Sequence, residues 1–188
     1  MSTRLTATPG QTIGPFYGYA LPFDRGNELV PPAFPGAIRF HGTVRDGAGA
    51  PVPDALLEIW QADADGVVPH ASGSLHRDGW TFTGWGRAAT DDEGHYSFTT
   101  VEPGATTPGA PPFIAVTVFG RGVLNRLFTR AYVPAGQQDR LLASVPAERQ
   151  HTLIAQRDQY GLRFDIRLQG GPDGEDETVF LHYPGHGR

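Results

Sequence analysis

From Ala37 onward the chain alternates. In AIRFHGTVRD, Ile38, Phe40, Gly42 and Val44 interleave with Arg39, His41, Thr43 and Arg45, the period of two expected of a strand with one face on a core and one toward water. DGAGAPVPD (46–54) is turn chemistry. ALLEIWQAD (55–63) predicts a second strand, and RAATDDEGHYSFTTV (87–101) predicts two strands around a DDEG turn. PPFIAVTVFG (111–120) carries the most apolar run, and both of its faces are mostly apolar, as in a core strand. VLNRLFTRAYV (123–133), HTLIAQ (151–156), LRFDIRLQ (162–169) and TVFLH (178–182) read as further strands, and GQQDRLLASV (136–145) as the one short helix. The acidic PDGEDE (172–177) reads as an exposed hairpin loop before the last strand. Eight or nine strands with one short helix predict an all-β, antiparallel β-sandwich.

The first 36 residues have a different texture. TPGQTIGPFYGYALPF (8–23) and VPPAFPG (30–36) place proline or glycine every few positions, which excludes a long helix or a central strand. Phe16, Tyr17, Tyr19 and Phe23 make the segment too aromatic for a solvated tail. Residues 1–36 are therefore expected to be an arm packing on the domain or on a partner subunit, and residues 37–188 the sandwich.

With 39% hydrophobic and 19% charged residues, the 188-residue chain can bury a sizeable core. A net charge of −5 gives no basic surface for nucleic acid. The absence of cysteine removes disulfides, thiolate metal sites and a cysteine nucleophile. There is no apolar run of membrane-spanning length, and MSTRLTATPGQTIGPF lacks a signal-peptide core, so the expected setting is cytoplasmic, with no membrane partner.

Catalytic motifs are missing. There is no G-x-S-x-G elbow, phosphate loop or dinucleotide fingerprint. The seven histidines, His41, His70, His76, His95, His151, His182 and His186, include no His-x-His pair, the spacing that puts two imidazoles on one face of a strand. Glu58 is expected to pair with a cross-strand arginine. Arg126 and Arg130 could each form a surface ion pair or receive a carboxylate ligand in their planar fork.

FHGTVRDGAGAPVPDALLEIWQADADG (40–66) resembles the signature of the intradiol ring-cleavage dioxygenases, and GRAATDDEGHYSFTTVEPG (86–104) continues it in register. LRFDIRLQG and ETVFLHY match the family's closing strands. TPGQTIGPF and LFTRAY are similar, more narrowly, to the alpha chain of the family's two-chain members. The resemblance runs from about Thr8 to Tyr183. It implies a catechol substrate opened by O2 to a dicarboxylate, at an Fe(III) ion held by two tyrosinates and two histidines; hard oxygen ligands suit that ion.

On this chain the positions matching the two histidines hold Phe113 and Ala115. Thr106 stands at about the place of one tyrosine, and HASGSLHRDGWTFT (70–83) has no tyrosine for the other. The resemblance thus implies a chain with no metal ligands and no catalytic residues of its own, in a higher hetero-oligomer whose beta chain binds the iron. The family's substrate-pocket positions fall on Thr12, Gly14 and Pro15 in the arm and on Arg130, with Arg126 a neighbouring claimant. Two other readings stay open: a self-sufficient catechol dioxygenase with ligands drawn from Tyr132, Tyr183, His182 and His186, and a transthyretin-like binding module without enzymatic context.

Overall fold

The alternating segments pair into two sheets whose apolar faces meet. The computed structural model describes residues 14, 16–70, 75, 77–171, 174 and 176–183. In the first sheet β1 (Ala37–Arg45) runs antiparallel to β4 (His95–Val101), with Phe40 opposite Phe98. The second sheet has the order β3-β2-β5-β6, from Trp85–Ala89, Leu56–Gln61, Phe113–Phe119 and Leu127–Tyr132, all antiparallel. Leu57 and Ile59 of β2 and Ile114, Val116 and Val118 of β5 face Phe40, Phe98 and Phe164 across the sandwich. Each such side chain, taken fully out of water, contributes about 1.5–3 kcal/mol. The buried Gln61 side chain ties the layers together: its amide donates to the Val101 carbonyl at 2.8 Å and its oxygen accepts from Thr100 Oγ1 at 2.9 Å.

Several predicted strands come out differently. HTLIAQ begins inside a 3-10 helix (Ala147–Leu153), where the Arg149 and Gln150 N–H groups turn back to the Pro146 carbonyl. Beyond it Ile154 makes an isolated parallel bridge to Tyr132, and β7 (Gln156–Asp158) follows. LRFDIRLQ divides into β8 (Gly161–Arg163) and β9 (Ile166–Arg167), and both pair with β1 in parallel rather than antiparallel. The break has a local cause. A Cβ at Gly42 would lie 2.0 Å from the Phe164 carbonyl oxygen, so that carbonyl sits against the one residue of β1 that leaves room for it. The Asp165 carboxylate also takes the Thr43 N–H and hydroxyl, at 2.9 and 3.0 Å, in place of a ladder bond. TVFLH contributes an isolated bridge, Phe128 to Leu181, and not a strand. The predicted helix is α2 (Arg140–Ser144), capped by Asp139.

Of the arm, a single turn of helix, α1 (Tyr17–Ala20), is regular. Farther on, Glu28 bridges to Thr99 at the edge of β4, and Leu29 and Val30 are buried, Leu29 within the sandwich core. The end of the arm therefore belongs to this domain. Among the described residues no helix is long and apolar enough to cross a membrane.

Candidate functional site

The outward face of the second sheet gathers the residues of interest. Cross-strand register sets Trp85, Trp60, Ala115 and Arg130 in one row. In the next row Arg87, Glu58, Thr117 and Phe128 stand side by side. On β5 the inward residues are fully buried while Phe113, Ala115, Thr117 and Phe119 are half-buried. The strand is thus core on one side only, a correction to the expectation of two core faces.

Ala115 is the cross-strand neighbour of Arg130, and the guanidinium carbon lies 4.0 Å from the Phe113 ring centroid. Nη1 donates to the Tyr132 hydroxyl and to Asp139 Oδ2, each at 3.3 Å. The Tyr132 hydroxyl donates in turn to Asp139 Oδ2 at 2.9 Å, and Asp139 Oδ1 accepts the Leu142 N–H at 2.7 Å as the N-cap of α2. One carboxylate so joins β6 to α2. Burial, countered by Arg130 and reinforced by Asp139, pushes the Tyr132 hydroxyl up to about 12. Burial alone would lower the Arg130 pKa, but the hydrogen bond to Tyr132 and the tyrosines 132 and 183 around it raise it above the ordinary arginine value. Arg130 is a fixed positive charge. Its Nε is buried with no hydrogen-bond partner among the described residues.

Arg126 lies elsewhere, exposed over the Phe128 ring at 5.1 Å, in a cleft with Leu127, Leu181 and Tyr183. Gly14 is exposed, with open space where a Cβ would project, and its carbonyl accepts the Tyr17 N–H at 3.4 Å. Thr12 and Pro15 lie outside the described residues. Glu58 meets its cross-strand arginine as expected: Arg87 Nε and Nη2 donate to Oε1 at 2.9 and 2.5 Å.

The described residues of this face do not fit a ferric ion. Phe113 and Ala115 offer no donor atom, Thr106 is exposed in a turn, and the Arg130 charge would repel a cation brought to this face. Tyr132 and Tyr183 do approach one another through Arg130, but Tyr132 is spent on Asp139 and His182 is exposed; His76 and His186 lie outside the described residues. Among the described residues one trio could hold a metal, Asp91, Glu93 and His95, and it is an exposed turn whose Asp91 already accepts the N–H groups of Glu93 and His95. His41 and His151 are likewise engaged, with Asp158 at 3.0 Å and the Glu148 carbonyl at 2.7 Å.

Sequence reasoning did not find Asp139 or the seat of Arg130 on Phe113. The first had a signal, an aspartate immediately before RLLAS. The second had none, because it depends on β5 and β6 being neighbours.

A family model described as "Dioxygenase" matches residues 14–170. The chain is 39% identical to the protocatechuate 3,4-dioxygenase alpha chain of Burkholderia cepacia, covering 95% of this chain and 98% of that one. It is 35% identical to the alpha chain of Pseudomonas putida, with the same coverage. The beta chain from Burkholderia cepacia is 39% identical over 66% of this chain and 54% of its own length. Among solved structures, the dioxygenase domain of a dioxygenase–carbohydrate-binding fusion from Streptomyces sp. SirexAA-E superposes with a TM-score of 0.55 at 25% identity, covering 88% of this chain and 99% of that one.

Proposed function

This chain belongs to the dioxygenase family whose model it matches, and we propose that it is the metal-free alpha subunit of a protocatechuate 3,4-dioxygenase. In that reading the assembled enzyme opens protocatechuate with O2 between its two hydroxyl-bearing carbons, and both oxygen atoms enter the product, 3-carboxy-cis,cis-muconate. The ferric ion, held by a beta-type partner chain, supplies the activation of the catechol ring toward dioxygen. Similarity to both alpha and beta chains supports a hetero-oligomer of related sandwiches.

The observation that carries the reading is on β5. Phe113 and Ala115 occupy the outward positions, and the Arg130 guanidinium lies over the Phe113 ring where a cation-binding set would be needed. What this chain brings is shape and charge. Thr12, Gly14 and Pro15 in the arm would close one wall of the partner's pocket, a small side chain and backbone allowing close approach to the substrate. Arg130 would place its Nε, which has no hydrogen-bond partner among the described residues, and its charge toward the carboxylate of the substrate or the negative charge growing as the ring opens.

The test is iron content and colour. The purified chain alone is expected to hold no stoichiometric ferric iron and to lack a phenolate-to-iron visible band, whereas co-expression with its beta-type partner yields a coloured, active complex. A coloured and active preparation of this chain alone would overturn the assignment.

A further inference from the structure

The arm is not simply laid on the sheet; it is clamped. The Phe23 ring of the arm stacks on Trp85 of β3 with centroids 5.8 Å apart and 2° between the planes. Each ring also carries a cation, Arg77 at 5.3 Å from the Phe23 centroid and Arg87 at 5.1 Å from that of Trp85, the arrangement that a ring's negative face favours. The Arg87 fork faces two ways. Nε and Nη2 bind Glu58, while Nη1 donates to the Leu21 carbonyl at 2.7 Å, one residue past the end of α1. The Arg87 N–H also donates to the Gly26 carbonyl at 2.8 Å. Arg77 closes the other side with bonds to the carbonyls of Arg25, Gly26 and Trp85.

Local backbone supports the same conclusion. Arg25 holds a left-handed conformation, φ 56°, which a non-glycine residue keeps only where its surroundings fix it. At Gly86 a Cβ would lie 2.5 Å from Leu29 Cδ1 and 3.1 Å from the Gly26 carbonyl oxygen, so the arm sits close against β3 there. With its far end held, the arm turns Tyr17 inward and Phe16 and Tyr19 outward, 77% and 87% exposed.

We propose that Arg87, acting with Phe23 and Trp85, is the positioning residue that sets the angle at which the arm leaves this domain, so that the residues before Phe16 meet the substrate pocket in one orientation. This rests on the reading that the arm closes a pocket on the partner chain. Arg87 touches no substrate; it works by paying in advance the ordering that the arm would otherwise lose on each binding event.

The experiment uses the complex with the beta-type partner. Arg87→Met removes the Leu21 bond, the Glu58 ion pair and the cation on Trp85, and Phe23→Leu breaks the ring stack without disturbing a charge. Both are expected to raise KM for protocatechuate about tenfold and to change kcat by less than about twofold, the mark of lost binding common to ground and transition states. Amide exchange should quicken over residues 16–21 in both variants, while in Phe23→Leu the unfolding midpoint of the complex holds. Arg87→Lys, which keeps the charge beside Glu58, should recover part of the loss. Deletion of residues 1–16 separates the two ideas. If the deletion leaves KM unchanged, the arm does not line the pocket and both fall. If the deletion raises KM while Arg87→Met and Phe23→Leu do not, or if those variants fail to assemble with the partner, the clamp is not a positioning device and this inference alone is overturned.

Discussion

Arg130 is a long side chain whose position is decided by its neighbours. Ala115 stands opposite it, Phe113 offers a ring face, and Asp139 and Tyr132 take one of its nitrogens. The tyrosine has a measurable consequence. Its folded value of about 12 lies above the value of about 10 expected in the unfolded chain. A proton held more tightly in the folded state stabilises it. The stabilisation is complete below about pH 10 and is lost as pH rises through about 12. Tyr132→Phe should therefore unfold with a shallower loss of stability between those limits than the parent chain. Denaturant melts at stepped alkaline pH read this directly, and equal slopes would remove Tyr132 as the titrating group.

The strand β5 shows how one element serves two purposes. Its inward residues Ile114, Val116 and Val118 are at most 1% exposed, whereas the outward ones are half-buried. Ile114→Ala should cost about 2–5 kcal/mol through lost burial and the cavity left behind. Thr117→Ala, one row from Arg130 on the outward face, should cost about 0.5 kcal/mol or less. Chemical denaturation of the two variants compares the faces, and similar losses would contradict the one-sided packing. The alternation of β1, β2 and β4 was readable because each spans at least six residues with a buried face, whereas the apolar outward residues of β5 hid its one-sided packing. The closing strands were not. HTLIAQ has the composition of a strand, but Pro146 opens a 3-10 turn ahead of it, and LRFDIRLQ is broken by the Thr43 and Gly42 contacts of another strand.

For the whole molecule, the outward face of the second sheet is where a partner is expected. Trp60 stands there 42% exposed, in the row with Trp85, Ala115 and Arg130. If the beta-type chain covers this face, the indole emission should shift to the blue when the complex forms, and Trp60→Phe should abolish most of that shift. A shift that persists in the variant would move the contact away from this face. The family resemblance could be read from motifs spread along the chain, since FHGTVRD, the DDEG turn and LFTRAY are local strings. How Arg126 and Arg130 differ could not, because the two alternate in one stretch and only the neighbouring strand separates them.

The sequence alone determined which alternating segments are strands, the sandwich class and the Glu58 ion pair, and the family resemblance implied that the two histidine positions fall on Phe113 and Ala115. The first three depend on residue identity and spacing, which are local. Tertiary structure decided what fills those positions, how the arm is held, and that β8 and β9 join β1 in parallel. Each of these is a contact between segments distant in the chain. Its geometry is set by which strands become neighbours and by how much room a glycine leaves between them.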